Sequence, residues 1–101
     1  MITKKAILAK QKAISALAKK SGISYLALFG SVARNEQTSS SDVDILIKFA
    51  KNNKGYFDLI ELEDQLTGLF KTKVSLQTKS TISPLIYPYI QSDITPIYGQ
   101  E

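Results

Sequence analysis

Two aspartates, Asp42 and Asp44, stand two residues apart in the stretch Asp42-Val43-Asp44-Ile45-Leu46-Ile47-Lys48-Phe49. The stretch alternates. Val43, Ile45, Ile47 and Phe49 read as one face of a strand, and Asp42 and Asp44 as the other. Carboxylates at i and i+2 leave the same face with Cα atoms roughly 6.6–7 Å apart. From there they can turn inward on one divalent ion, or hold two ions about 3.5–4 Å apart. Mg²⁺ in particular takes one or two carboxylates and fills its remaining positions with water and phosphate oxygens. Upstream, Gly30-Ser31 closes an apolar run and precedes Val32-Ala33-Arg34. Gly30 lets a backbone approach phosphate closely, and Ser31 can cap a helix start or hydrogen-bond an anion. The first N–H groups of such a helix have no internal partner and attract phosphate. A metal-friendly acid pair beside a phosphate-friendly turn is what a metal-chelated nucleoside triphosphate needs.

The elements that must bring these residues together follow from apolar patterning. Tyr25, Leu26, Leu28 and Phe29 form a short apolar run that ends at Gly30, as a buried strand does. Thr38 to Ser41 is a polar loop. Residues 3–20 have helical spacing at Ile7, Ile14, Leu17 and Ala18, which predicts one amphipathic helix capped by Thr3 and stopped at Ser21-Gly22. Its lysines read as a solvated face. Ala50 to Gly55 is a loop by composition. Leu59, Leu62, Leu66 and Leu69 mark the core stripe of a second helix over Tyr56–Phe70. Asp58, Glu61, Glu63 and Asp64 form its acidic side. Val74–Thr78 alternates as a short strand, with Val74 and Leu76 on one face and Ser75 and Gln77 on the other. Pro84 and Pro88 break the next segment into a bend or short turns, with Leu85, Ile86, Tyr89 and Ile90 expected in the core. Ile94–Tyr98 reads as a last strand that Pro96 confines to an edge.

Composition narrows the chemistry. The 101 residues contain no cysteine and no histidine. Disulfides, thiolate or imidazole metal sites and a histidine base are therefore excluded, which leaves carboxylates and water as metal ligands. A formal net charge of +4 favours anionic partners. No apolar run approaches the roughly 20 residues of a membrane-spanning helix, and the N-terminus lacks a signal-peptide pattern. A soluble, cytoplasmic, single-domain protein is the expectation. The pattern of helices and strands predicts an α/β (α+β) architecture: a small mixed sheet of about four strands with helices packed mainly on one face.

Gly30-Ser31-x-Ala33-Arg34 followed by Ser41-Asp42-x-Asp44 resembles the signature of the nucleotidyltransferase superfamily that includes DNA polymerase β. The shortness of the chain makes it most similar to the minimal nucleotidyltransferases (MNT), over about Ser24 to Tyr98. The resemblance implies a nucleotidyltransferase-like fold, Mg²⁺ held by Asp42 and Asp44, and ATP as donor with pyrophosphate released. Gly30, Ser31 and Arg34 would then bind the nucleotide, although Arg34 could equally pair with Glu36 or an aspartate and brace the loop. The resemblance also implies a partner, because MNT proteins act as antitoxins to all-helical HEPN ribonucleases, either adenylylating the toxin or binding it. A hetero-oligomer with such a toxin is expected, and a protein acceptor rather than nucleic acid. Two positions depart from the family. Asn35 stands where glycine is common, a change asparagine tolerates because it accepts a left-handed backbone. Ser75 stands where similar proteins carry a third aspartate. A hydroxyl neither neutralises a divalent ion nor accepts a proton readily at neutral pH. Activity then depends on whether another acid fills the gap, with Asp58 and Asp64 as candidates. The alternative is a catalytically weak module that masks its partner without chemistry.

Overall fold

In the computed structural model, which describes residues 2–50 and 55–100, the lysine-rich N-terminal segment forms two helices rather than the single one expected. Thr3 Oγ1 accepts from the Ala6 N–H at 3.1 Å and caps α1 (Lys4–Ala9). The Lys10 N–H then bonds to Ile7 O at 2.9 Å, a tighter turn that ends α1 before α2 (Gln11–Lys20) begins. No glycine or proline marks this break, so periodicity misses it. A twisted sheet is not followed well by one straight rod. The bend lets Ile7, Ile14 and Ala18 all become fully buried. Ser21 ends α2, and Gly22 takes a left-handed φ of 74°, as the Ser-Gly stop predicts.

The chain then enters β1 (Ile23–Phe29), makes a short turn of helix in α3 (Gly30–Ala33), and returns along β2 (Val43–Phe49). α4 (Tyr56–Phe70) and β3 (Val74–Thr78) have the expected bounds. Of the expected loop from Ala50 to Gly55, residues 51–54 lie outside the described residues. The Gly55 N–H donates to Asp58 Oδ2 at 2.8 Å, which secures the start of α4. A 3₁₀ turn (Lys79–Thr81), the one-turn helix α5 (Tyr87–Ile90) and a second 3₁₀ turn (Gln91–Asp93) precede β4 (Thr95–Gly99).

The four strands form one sheet in the order β3-β2-β1-β4. β1 pairs antiparallel with β2 and with β4, whereas β2 and β3 run parallel, so the sheet is mixed as expected. β4 lies at an edge, where Pro96 costs no interior ladder bond. One face carries the main core. Leu26, Leu28, Val43, Ile45, Ile47, Val74 and Leu76 meet Ile7, Ile14 and Ala18 from the N-terminal helices, and Leu62, Leu66 and Phe70 from α4. The other face carries a smaller cluster of Tyr25, Ala27, Phe29, Leu46 and Ile82, covered by Tyr87, Ile90 and Ile94. Among the described residues, no helix is long and apolar enough to cross a membrane.

One expectation about the core fails. Leu85, Ile86 and Tyr89 are exposed. Pro84 and Pro88 restrict this region to single turns, and one turn has room for few inward positions. Tyr87 and Ile90 take them, and the flanking apolar side chains face outward.

The outer edge of β3 is closed by side chains rather than by another strand. The N–H groups of Val74, Leu76 and Thr78 donate to Thr67 Oγ1 (3.2 Å), Glu63 Oε2 (3.0 Å) and Thr81 Oγ1 (3.1 Å). Unpaired edge donors would otherwise invite strand addition from another chain. Glu63, one of the acids of α4, is therefore structural. Glu63→Ala should lower stability by about 1–3 kcal/mol, the cost of leaving a half-buried donor unmet. Urea denaturation followed by circular dichroism would measure it, and light scattering should show more self-association than in the native chain.

Candidate functional site

The site forms where β1 ends and β2 begins. Antiparallel pairing sets Phe29 opposite Asp44. Gly30 follows with a φ of 80°, in the left-handed region that favours glycine, and turns the chain out of the strand into α3. A Cβ on Gly30 would collide with Asp44 Oδ2, so the carboxylate lies directly over the glycine backbone. Glycine is needed here for two independent reasons: the backbone angle and the space.

Asp44 projects from the face of β2 that also carries Leu46, opposite the helix-covered face of Val43, Ile45 and Ile47. Asp42 stands one residue before β2 begins, two positions from Asp44, and its charge acts on Asp44. Burial raises the pKa of Asp44 above its ordinary value, the negative charge of Asp42 raises it further, and the positive charge of Arg34 opposes both. These acids are close enough to repel and are partly withdrawn from water. A divalent cation would relieve both costs, so the residues present fit such an ion.

Ser31 is differently placed than expected. It is the second residue of α3, and Phe29 occupies the cap position without a side-chain cap bond. With Gly30 already able to turn the chain, no hydroxyl is needed to start the helix. α3 is one turn long, so its dipole is small. An anion here would meet individual N–H groups and the Ser31 hydroxyl. Asn35 adopts a φ of 58°, the left-handed backbone foreseen for it.

Arg34 ends α3. Its Nε donates to Glu36 Oε2 at 3.1 Å and its Nη1 to Asp93 Oδ2 at 2.7 Å. These partners raise its pKa, Asp93 most. The bracing contact with Glu36 is therefore present, and so is one with an aspartate, Asp93, whose identity the sequence did not reveal. Asp93 is 59 residues away from Arg34 and belongs to no motif.

Ser75 lies beside Asp44 in the parallel β2–β3 register. This is the strand position where the resemblance places a third acid. Asp58 and Asp64 do not replace it. They belong to α4, which packs on the opposite face of the sheet from the acid pair, and Asp58 already accepts from Gly55. Among the described residues, no three acidic side chains gather as a metal-ligating cluster.

Residues 11–101 match the family described as polymerase beta, nucleotidyltransferase. A Methanocaldococcus jannaschii protein named "putative protein adenylyltransferase" is 44% identical over 91 residues, covering 89% of this chain and 90% of its own. A solved structure described as a "putative minimal nucleotidyltransferase" superposes with a TM-score of 0.80 at 25% identity, over 94% of this chain and 96% of its own. The structure of an AMPylated Shewanella oneidensis HEPN toxin in complex with an MNT antitoxin contains a chain of the same fold. It superposes with a TM-score of 0.67 at 18% identity, over 91% of this chain and 71% of that one.

Two substitutions test the geometry. Because the folded-state pKa of Asp44 is raised, ionising it weakens the fold as pH climbs past the ordinary value of 3.8, and the penalty is complete above the raised value. In metal-free buffer, Asp44→Asn should therefore melt above the native chain at pH 7, with the gap closing as pH falls below 3.8. A lower melting temperature at pH 7 would contradict this placement of the carboxylate. Gly30→Ala should cost about 1–2 kcal/mol from the left-handed backbone alone. It should also displace Asp44 and weaken Mg²⁺ binding, read by isothermal titration.

Proposed function

The chain belongs to the polymerase β nucleotidyltransferase family, and on that premise we propose that it is an adenylyltransferase-type antitoxin, moving AMP from Mg-ATP to a HEPN toxin. The observation that carries this is the contact of Asp44 with the Gly30 backbone, with Asp42 two residues away. Support for a protein acceptor comes from the name of the archaeal relative. Support for the partner comes from the shared fold of a chain in the AMPylated toxin complex.

Asp42 and Asp44 would hold Mg²⁺. When bound, the ion neutralises phosphate charge and so makes the α-phosphorus open to attack. Gly30 and Ser31 admit the triphosphate close to the backbone. Arg34 would offer the rest of its guanidinium fork to a phosphate oxygen. In the transfer, an acceptor hydroxyl oxygen bonds to the α-phosphorus while the bond to the pyrophosphate oxygen breaks, and the hydroxyl proton goes to a carboxylate or to water. Positioning and charge account for most of the acceleration in such reactions.

One observation favours a weaker catalyst. Ser75 occupies the place beside Asp44 where a third acid would sit. Loss of that acid affects deprotonation of the acceptor more than nucleotide binding. A chain that binds Mg-ATP and masks its partner, with slow transfer, is the second reading.

Incubation of the chain with labelled ATP, Mg²⁺ and its genomically adjacent HEPN partner tests both. Label on the partner, with a mass gain of one adenylyl group and loss in Asp42→Ala, is the expected result. Ser75→Asp should raise the rate by about 10²-fold or more, the usual contribution of a positioned proton acceptor. No label from either chain, together with tight complex formation, would establish the binding-only reading. No label and no complex would overturn the proposal.

A further inference from the structure

We propose that Asp93 is a positioning residue for the nucleotide site, acting through Arg34. The inference rests on the functional reading above and extends it to a residue outside every motif. Arg34 sits at the end of a single helical turn, and its side chain is 41% exposed. A long, partly exposed side chain in that setting has many rotamers to choose from. Of its two acidic partners, Glu36 is 66% exposed and follows in the same turn, so it moves with the solvent and adds little order. Asp93 is different. Its side chain is 12% exposed, it contacts Nη1 at 2.7 Å, and it belongs to the segment that covers the second face of the sheet. A charge-assisted bond to a fixed, shielded carboxylate holds the guanidinium in one place.

That place matters because of what lies nearby. Arg34 closes the turn that Gly30 opens, its N–H bonded to Gly30 O at 3.1 Å, and a Cβ on that same Gly30 would collide with the Asp44 carboxylate. The guanidinium carries five N–H donors. Nε serves Glu36 and one donor of Nη1 serves Asp93, and no further partner is seen among the described residues. The rest of the fork can meet an anion such as a triphosphate oxygen without releasing Asp93. Asp93 therefore keeps a cation ready at the edge of an acidic pair, where a phosphate chain would otherwise meet only repulsion. This bond ties the cover segment to the turn at the site, between residues 59 apart in sequence.

A double-mutant cycle on nucleotide affinity separates this role from a structural one. The native chain, Asp93→Asn, Arg34→Ala and the double variant are titrated with a non-hydrolysable ATP analogue and Mg²⁺, and melting curves are recorded alongside. Asp93→Asn should weaken binding roughly three- to tenfold in the native background and add no weakening when Arg34 is already alanine. Additive losses would overturn the inference, because Asp93 would then act through the fold. Unchanged or tighter binding by Asp93→Asn would overturn it as well. If Asp93→Asn fails to fold, the cycle is run with Asp93→Glu, which keeps the charge but moves it, under the same criteria. Failure of the native chain to bind would overturn this inference and the functional reading together. Normal native binding with a flat cycle would overturn this inference alone.

Discussion

The carboxylate of Asp44 rests on the backbone of Gly30, and the candidate site depends on that contact. It exists because β1 and β2 pair antiparallel with Phe29 opposite Asp44, so the last residue of one strand meets the first acid of the other. It survives because position 30 has no side chain and tolerates a positive φ. Fix those two features and the acid pair, the one-turn helix and Arg34 fall into a single neighbourhood. The arrangement is held against its own electrostatics. Asp44 is partly buried beside a like charge, which the fold alone does not favour. A stable core elsewhere must absorb that cost, as is usual where groups are arranged for binding rather than for stability.

The sheet meets this demand by dividing its two faces. The helix-covered face is continuously apolar from β1 to β3 and anchors the strands. The other face is apolar only where Tyr25, Ala27, Phe29 and Leu46 pack beneath Ile82 and the rest of the 79–94 segment. Asp44 and Ser75 share that second face. The edge at β3 is also occupied, by hydroxyl and carboxylate acceptors from α4 and the following turn, and at β4 Gln11 Nε2 donates to Ile97 O at 2.9 Å. A partner approaching β3 would therefore meet side chains rather than a strand waiting to be paired.

Much of this was legible in the sequence because it is local. Alternation placed Asp44 opposite Val43, Ile45 and Ile47, the leucine stripe delimited α4, and Pro96 marked an edge. What escaped was tertiary. A chain of good helix formers hides the break at Lys10, which exists only because two short helices follow a twisted surface. Leu85, Ile86 and Tyr89 look like core in one dimension, and only the single turn of α5 shows that there is no inward room for them. Ser31 was expected as a cap, yet Gly30 had already done the turning. Asp93 could not be found at all, since nothing in its own neighbourhood distinguishes it until Arg34 arrives from the other end of the chain.

The charge distribution bears on which form of a nucleotide could enter. The chain as a whole is cationic, at +4, and would draw an anion toward its surface. The immediate site is not. Asp42 and Asp44 lie close enough for one charge to act on the other, and Arg34 is already engaged by Glu36 and Asp93, so a bare triphosphate approaching the pair meets negative charge. A triphosphate already carrying a divalent ion presents a positive centre to the acids and phosphate oxygens to the guanidinium and the Gly30-Ser31 turn. Ser75 sharpens this preference in one respect and relaxes it in another. A third carboxylate would hold the metal more firmly, but it would also place one more negative charge against Asp44 and raise its repulsion further. With a hydroxyl there, less of the affinity can come from acids and more of it must come from contacts to the phosphates. That shift in emphasis is the reason a well-placed arginine, held by a shielded aspartate, becomes important to how this chain would bind its nucleotide.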